Sequence, residues 1–61
     1  MTVNDLELNQ HLTDAARLLP LVSHYVRQGH LGMALTESAK LEDAIRKIGW
    51  RILDLTKGDG P

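Results

Sequence analysis

The strongest constraint in this chain is a run of evenly spaced positions in its second half. Leu31, Ala34, Ser38, Leu41, Ile45, Ile48, Ile52 and Leu55 follow one another at steps of 3, 4, 3, 4, 3, 4 and 3. An α-helix turns once in 3.6 residues, so these positions line up as one stripe, the a/d seam of a heptad. The first half carries a shorter version. Leu8, Leu12, Ala15, Leu19, Val22 and Val26 step by 4, 3, 4, 3 and 4. The chain has 61 residues, enough for one small domain. A domain of that size buries only about 60% of the surface its unfolded chain exposes.

Local signals set the helix ends. Asn4 is expected to cap the first helix, with Glu7 completing a capping box and Val3 against Leu8 as a hydrophobic staple. Arg27 in the last turn and Gly29 just beyond mark its end. Pro20 stands inside this helix, where it removes a hydrogen bond and crowds the carbonyl of Ala16, costing roughly 3 kcal/mol unless the helix bends. It falls beside Arg17 and His24 on the polar side. One kinked helix is therefore expected rather than a break near Leu19. The second helix is expected to start near Leu31, although Thr36 followed by Glu37 offers a later start, and to end at Gly58. Its polar face reads Glu37, Lys40, Asp43, Lys47, Arg51, Asp54. Glu42–Arg46 and Asp43–Lys47 are i,i+4 pairs, each worth a few tenths of a kcal/mol. Residues 1–57 form the expected domain, and residues 58–61 a disordered tail.

Two helices joined by a short turn around Gly29 and Gly32 make an antiparallel hairpin, an all-α fold. Its apolar surface is wider than one seam. Leu18, Leu21 and Tyr25 run beside the first seam, and Leu35, Ala44 and Trp50 beside the second. There is no cysteine, so neither a disulfide nor a thiolate zinc site can staple so short a chain. The expected solution is an oligomer of hairpins of the four-helix-bundle type. Leu19, Val22, Tyr25, Val26, Leu41, Ile45, Ile48 and Ile52 are its expected interface. Ala34 and Ser38 are small enough for the helices to approach closely near the turn.

The residues that carry chemistry are few. No nucleophile elbow, phosphate-cradling glycine loop or His-Glu-x-x-His occurs, and Gly29 and Gly32 read as hairpin punctuation. His11, His24 and His30 are never three or four residues apart, which gives no helical metal pair within one chain. The expectation is a protein that is not an enzyme, with no metal and no cofactor. Seven basic and eight acidic residues leave a formal net charge of −1, against a broad basic field for nucleic acid or membrane. The longest apolar run, Leu18 to Val22, is too short to span a bilayer, and no basic stretch leads into an apolar one near Met1. The cytoplasm is the expected location.

One cluster stands out. Lys40, Arg46 and Lys47 accompany Trp50 on the second helix, and a cation beside an indole can hold a nucleobase together with its phosphate. The same residues also read as a solvated face laced with Glu42 and Asp43, with Trp50 at an oligomer contact.

The stretch Gly32-Met33-Ala34-Leu35-Thr36-Glu37-Ser38-Ala39-Lys40-Leu41-Glu42-Asp43-Ala44 resembles the second hairpin helix of small phage proteins that act as sponges for immune signalling nucleotides. The resemblance implies capture, without cleavage, of cyclic oligonucleotides or cyclic ADP-ribose derivatives, an anti-defence role. It carries over Thr36 as a ligand contact, beside Lys40, Arg46, Lys47 and Trp50 from the cluster above. In architecture the chain also resembles the small dimeric four-helix-bundle proteins that modulate plasmid RNA pairing. That likeness implies a regulator or adaptor binding structured RNA or a host protein, the latter through an apolar patch around Trp50 and Leu35.

If the seam is assigned correctly, Ile48→Asp places an unpaired charge at its centre. Sedimentation and circular dichroism are expected to show unfolded monomers; a folded monomer contradicts the assignment.

Overall fold

The computed structural model describes residues 4–58, which form two α-helices, α1 (Leu6–Arg27) and α2 (Leu31–Gly58), packed as an antiparallel hairpin. The molecule is a rod of 50 × 17 × 13 Å. The helix starts and stops follow from side-chain and backbone chemistry. Asp5, not Asn4, caps α1: its Oδ1 accepts the Leu8 N–H at 2.8 Å. That moves the N3 position from Glu7 to Leu8, so the capping box is not formed, and Glu7 instead lies 3.6 Å from the Arg51 guanidinium. The expected staple partner Val3 lies outside the described residues.

The turn is a short one. Gln28 is the C-cap, and Gly29 takes φ +78°, a left-handed conformation that strains any residue with a Cβ. The His30 N–H then reaches back to the Tyr25 carbonyl at 2.9 Å, and the Gly29 N–H to the Val26 carbonyl at 3.1 Å. These two bonds are the Schellman pattern that closes a helix end. The His30 carbonyl accepts the Ala34 N–H at 3.0 Å, so α2 starts at once. Thr36 starts nothing; its hydroxyl donates to the Gly32 carbonyl within the running helix at 3.2 Å. Pro20 does not break α1, which is helical on both sides of it, and it faces solvent. Gly58 is still helical, and the rest of the expected tail, residues 59–61, lies outside the described residues.

The contact between the helices corrects the expected seam. On α1 the half-buried or buried positions are Leu8, His11, Ala15, Leu18, Val22 and Tyr25, with Leu21 and Ser23 beside them. On α2 they are Ala34, Glu37, Leu41, Ala44, Ile48, Arg51 and Leu55, with Ser38 beside them. Each set keeps the 3-4 alternation but is turned by about 50° about its helix axis from the expected stripe, at 100° per residue. Leu18, Tyr25 and Ala44, expected on outer strips, therefore lie between the helices. Glu37 and Arg51, expected on the solvated face, are drawn in beside them. Leu12, Leu19, Val26, Leu31, Ile45 and Ile52, expected in the seam, are exposed.

The interior that results is very small. Among the described residues only Leu18, Ala34 and Ala44 are buried, and each keeps a few per cent of its surface in water. Ala34 is buried against α1 near the turn. The six exposed seam side chains are already about half covered, so covering the rest would contribute roughly 5–10 kcal/mol per hairpin, about half of the 1.5–3 kcal/mol per side chain taken fully from water.

At the end away from the turn, a salt bridge ties the two helices. Arg51 Nε and Nη2 donate to Asp5 Oδ1 and Oδ2 at 3.1 and 2.7 Å, a two-pronged pair across 46 positions of sequence. These bonds from Arg51, with the capping N–H of Leu8, hold the Asp5 carboxyl below its usual value, at about 2. The reciprocal effect raises the Arg51 guanidinium, which stays charged.

An aspartate depressed in this way stabilises the fold fully above its unfolded value near 3.8 and loses that effect as pH falls towards about 2. Thermal melts across this window are expected to show a decline in wild type that is shallower in Asp5→Asn. Asp5→Asn is also expected to melt lower at neutral pH. Parallel wild-type and variant curves would contradict the tie.

Candidate functional site

A groove of about 480 Å³ runs along one flank of the hairpin between α1 and α2. Helix α1 contributes His11, Asp14 and Arg17 to it, and α2 contributes Lys40, Asp43 and Lys47. Leu18 and Ala44 form its floor, so the one buried leucine among the described residues is also the base of the groove. The placement follows from helix geometry. Lys40 and Lys47 are seven residues apart and recur on one row of α2, next to the row that touches α1. Asp14 stands in the equivalent place on α1, and the antiparallel direction brings the two rows to the same flank.

Charges in the groove are arranged in local pairs. Lys47 Nζ lies 2.9 Å from Asp43 Oδ2, Arg17 Nη2 lies 3.8 Å from Asp14 Oδ1, and Lys40 Nζ lies 3.2 Å from Glu37 Oε1. The bond from Lys47 holds the Asp43 carboxyl below its usual value. All three cations are at least half exposed or close to it, and such solvated pairs have little net strength. The cations are therefore held over the groove without being locked. A multivalent anion can compete for them, since charge-assisted hydrogen bonds to phosphate are stronger than a single solvated carboxylate contact.

The structure separates the expected ligand residues. Lys40 and Lys47 line the groove together. Arg46 does not join them: it points away from α1 and pairs with Glu42 at 3.6 Å. Thr36 and Trp50 share a row with Asp43 at steps of seven but lie beyond the two ends of the groove, and Trp50 is 61% exposed. Trp50 and Leu35 form no single patch, being fifteen positions or about 22 Å apart along α2. His11, Asp14 and Arg17 carry no signal when α2 is considered alone. In the heptad frame of each helix Asp14 takes the same position as Lys40 and Lys47 and Arg46 does not, but only the packing of α1 on α2 brings His11, Asp14 and Arg17 beside the lysines.

The expected interface residues divide in the same way. Leu19, Val26, Ile45 and Ile52 are exposed, whereas Val22, Tyr25, Leu41 and Ile48 are half-buried in the contact between α1 and α2. Tyr25 lies beside His24, ring centres 5.6 Å apart. Among the described residues no cluster of His, Asp and Glu has the geometry to hold a metal ion, and no helix is long and apolar enough to cross a membrane. Comparison with protein-family models, with curated proteins and with solved structures finds no match to this chain.

The rim of the groove is solvated and its floor is structural, which sets two variants apart. In thermal melts Asp43→Asn is expected to leave the transition nearly unchanged. Leu18→Ala is expected to lower stability by about 2–5 kcal/mol, as truncating a buried leucine does. Equal losses would show that the paired charges, not the apolar floor, hold this flank together.

Proposed function

We propose that this chain is a non-catalytic binding protein, working as an assembly of hairpins, that captures a small anionic ligand in the groove between α1 and α2. The ligand class that fits best is a cyclic oligonucleotide or cyclic ADP-ribose derivative, held without being cleaved, as in a phage sponge that withholds an immune signal. One observation carries this reading: Arg17, Lys40 and Lys47 come from both helices to one groove of about 480 Å³, a volume of the order that small ligands occupy. The three cations can meet separated phosphates, above a floor that Leu18 and Ala44 close from beneath. Asp14 and Asp43 accept hydrogen bonds from amino or hydroxyl groups of the same ligand.

A second reading follows from Trp50. An indole left 61% exposed and outside the groove suits an anchor for a host protein or a structured RNA, the adaptor or regulator alternative. Binding to RNA would weaken steeply with salt, and docking to a protein through Trp50 would not.

Calorimetry with cyclic di- and trinucleotides and cyclic ADP-ribose isomers tests the leading reading. Binding is expected with at least one of them, weakened roughly tenfold by Lys47→Ala or Lys40→Ala, the loss of one charge-assisted contact. Arg46→Ala is expected to change affinity less than about twofold, since its partner is Glu42 on the outer face. The absence of heat with every ligand would remove the sequestering role, and a larger effect at Trp50 than at Lys47 would favour the second reading.

A further inference from the structure

The exposed residues Leu12, Leu19 and Val26 on α1 recur at steps of seven, and so do Leu31, Ile45 and Ile52 on α2, with Ser38 filling the gap in that row. Both rows are turned from the α1–α2 contact in the same rotational sense along their own helix. Because the helices run antiparallel, equal turns bring the two rows to the same flank of the hairpin. That flank is opposite the groove, whose residues are turned the other way. One side of the rod is therefore charged, and the other carries six large apolar side chains and no charged residue within its helical rows.

The angle of the turn has a meaning of its own. In both helices the regular heptad seam points about 50° away from the neighbouring helix. A helix at the corner of a square bundle has neighbours on two sides and the bundle axis between them, about 45° from each. The seam of each helix thus points where a bundle axis would lie if a second pair of helices covered the exposed flank. Each helix has the two adjacent contact rows that such a corner position needs. The hairpin fills one row and leaves the other in water.

We infer that a second copy of this chain covers the flank of Leu12, Leu19, Val26, Leu31, Ile45 and Ile52, closing a four-helix bundle with both charged grooves facing outward. This rests on the reading of the protein as an assembly of hairpins and names its interface. A self-complementary flank suits a two-fold pair, in which the same patch serves both partners. The buried interior of one hairpin, Leu18 with two alanines, gives the flank a reason to be covered. The arrangement also makes each groove complete within one copy, so a dimer would bind two ligands independently.

The test uses two neighbouring residues on opposite flanks. Ser38 lies on the proposed interface, and Ala39 lines the groove. The chain has no cysteine, so Ser38→Cys and Ala39→Cys each carry a single thiol in the same stretch of helix. Sedimentation first gives the state of the wild-type protein, and alkylation rates are then measured both where it is assembled and at a dilution where it is not. Ser38 is already half-buried in the single hairpin and Ala39 is exposed, so each variant is compared with itself. A dimer whose assembly slows Ser38→Cys at least tenfold and Ala39→Cys less than about twofold is the expected result. Equal slowing at the two positions, or none at Ser38→Cys, would overturn this interface while leaving the assembly intact. A compact monomer at high concentration would overturn both the interface and the assembly it rests on, and a trimer or larger ring would overturn the square bundle.

Discussion

Two helices lying side by side can bury only one flank of each, and this limit governs the whole molecule. The contact between α1 and α2 buries Leu18, Ala34 and Ala44 and leaves the other contact positions half open. Small residues at the contact bring the helices close but add little buried apolar area. Specific ties such as Arg51 to Asp5 add to this contact, and covering the second apolar row, as proposed, would add more. That tie closes the end of the hairpin farthest from the turn, where α1 begins and the chain has no covalent link between its helices.

The same limit divides the rod into two flanks with different chemistry. Charged side chains gather on the flank where they can reach water from both helices, and they pair there within one or two helical turns. Among the described residues, six of the eleven exposed large apolar side chains gather on the other, while Leu6, Met33, Leu35, Trp50 and Leu53 lie outside its rows. Binding and assembly, as proposed, therefore do not compete for surface. The groove is built within one hairpin, with its floor made by the residues that hold the helices together, so the proposed ligand capture and the fold share Leu18 and Ala44. A substitution at the floor acts on both, whereas one at the rim acts on charge alone.

Parts of the fold are legible in the amino-acid order, for local reasons. Gly29 marks a helix end because, unlike Gln28 and His30 on either side, it has no Cβ to oppose φ +78°. The start of α2 at Leu31 follows from the unbroken seam. The pairs Glu42–Arg46 and Asp43–Lys47 follow from a spacing of four. Less legible is the choice between Asn4 and Asp5 as cap, since both side chains can accept the same bond. Asp5 is held there by Arg51, a partner 46 positions away that no local pattern reveals. The groove is half legible: Lys40 and Lys47 are visible as basic residues on one helix, but His11, Asp14 and Arg17 meet them only through packing.

The sequence alone determined that this chain makes two helices, where the turn falls and which residues are greasy, because each of these depends on neighbours within four or five positions. The tertiary structure decided how far each helix is rotated about its own axis. A stripe as broad as these can face a neighbour on either of its edges, and only the partner's own side chains select one. That rotation of about 50° moved Leu18 and Ala44 inside, turned Leu19 and Ile45 out, and placed Lys40 and Lys47 opposite Arg17.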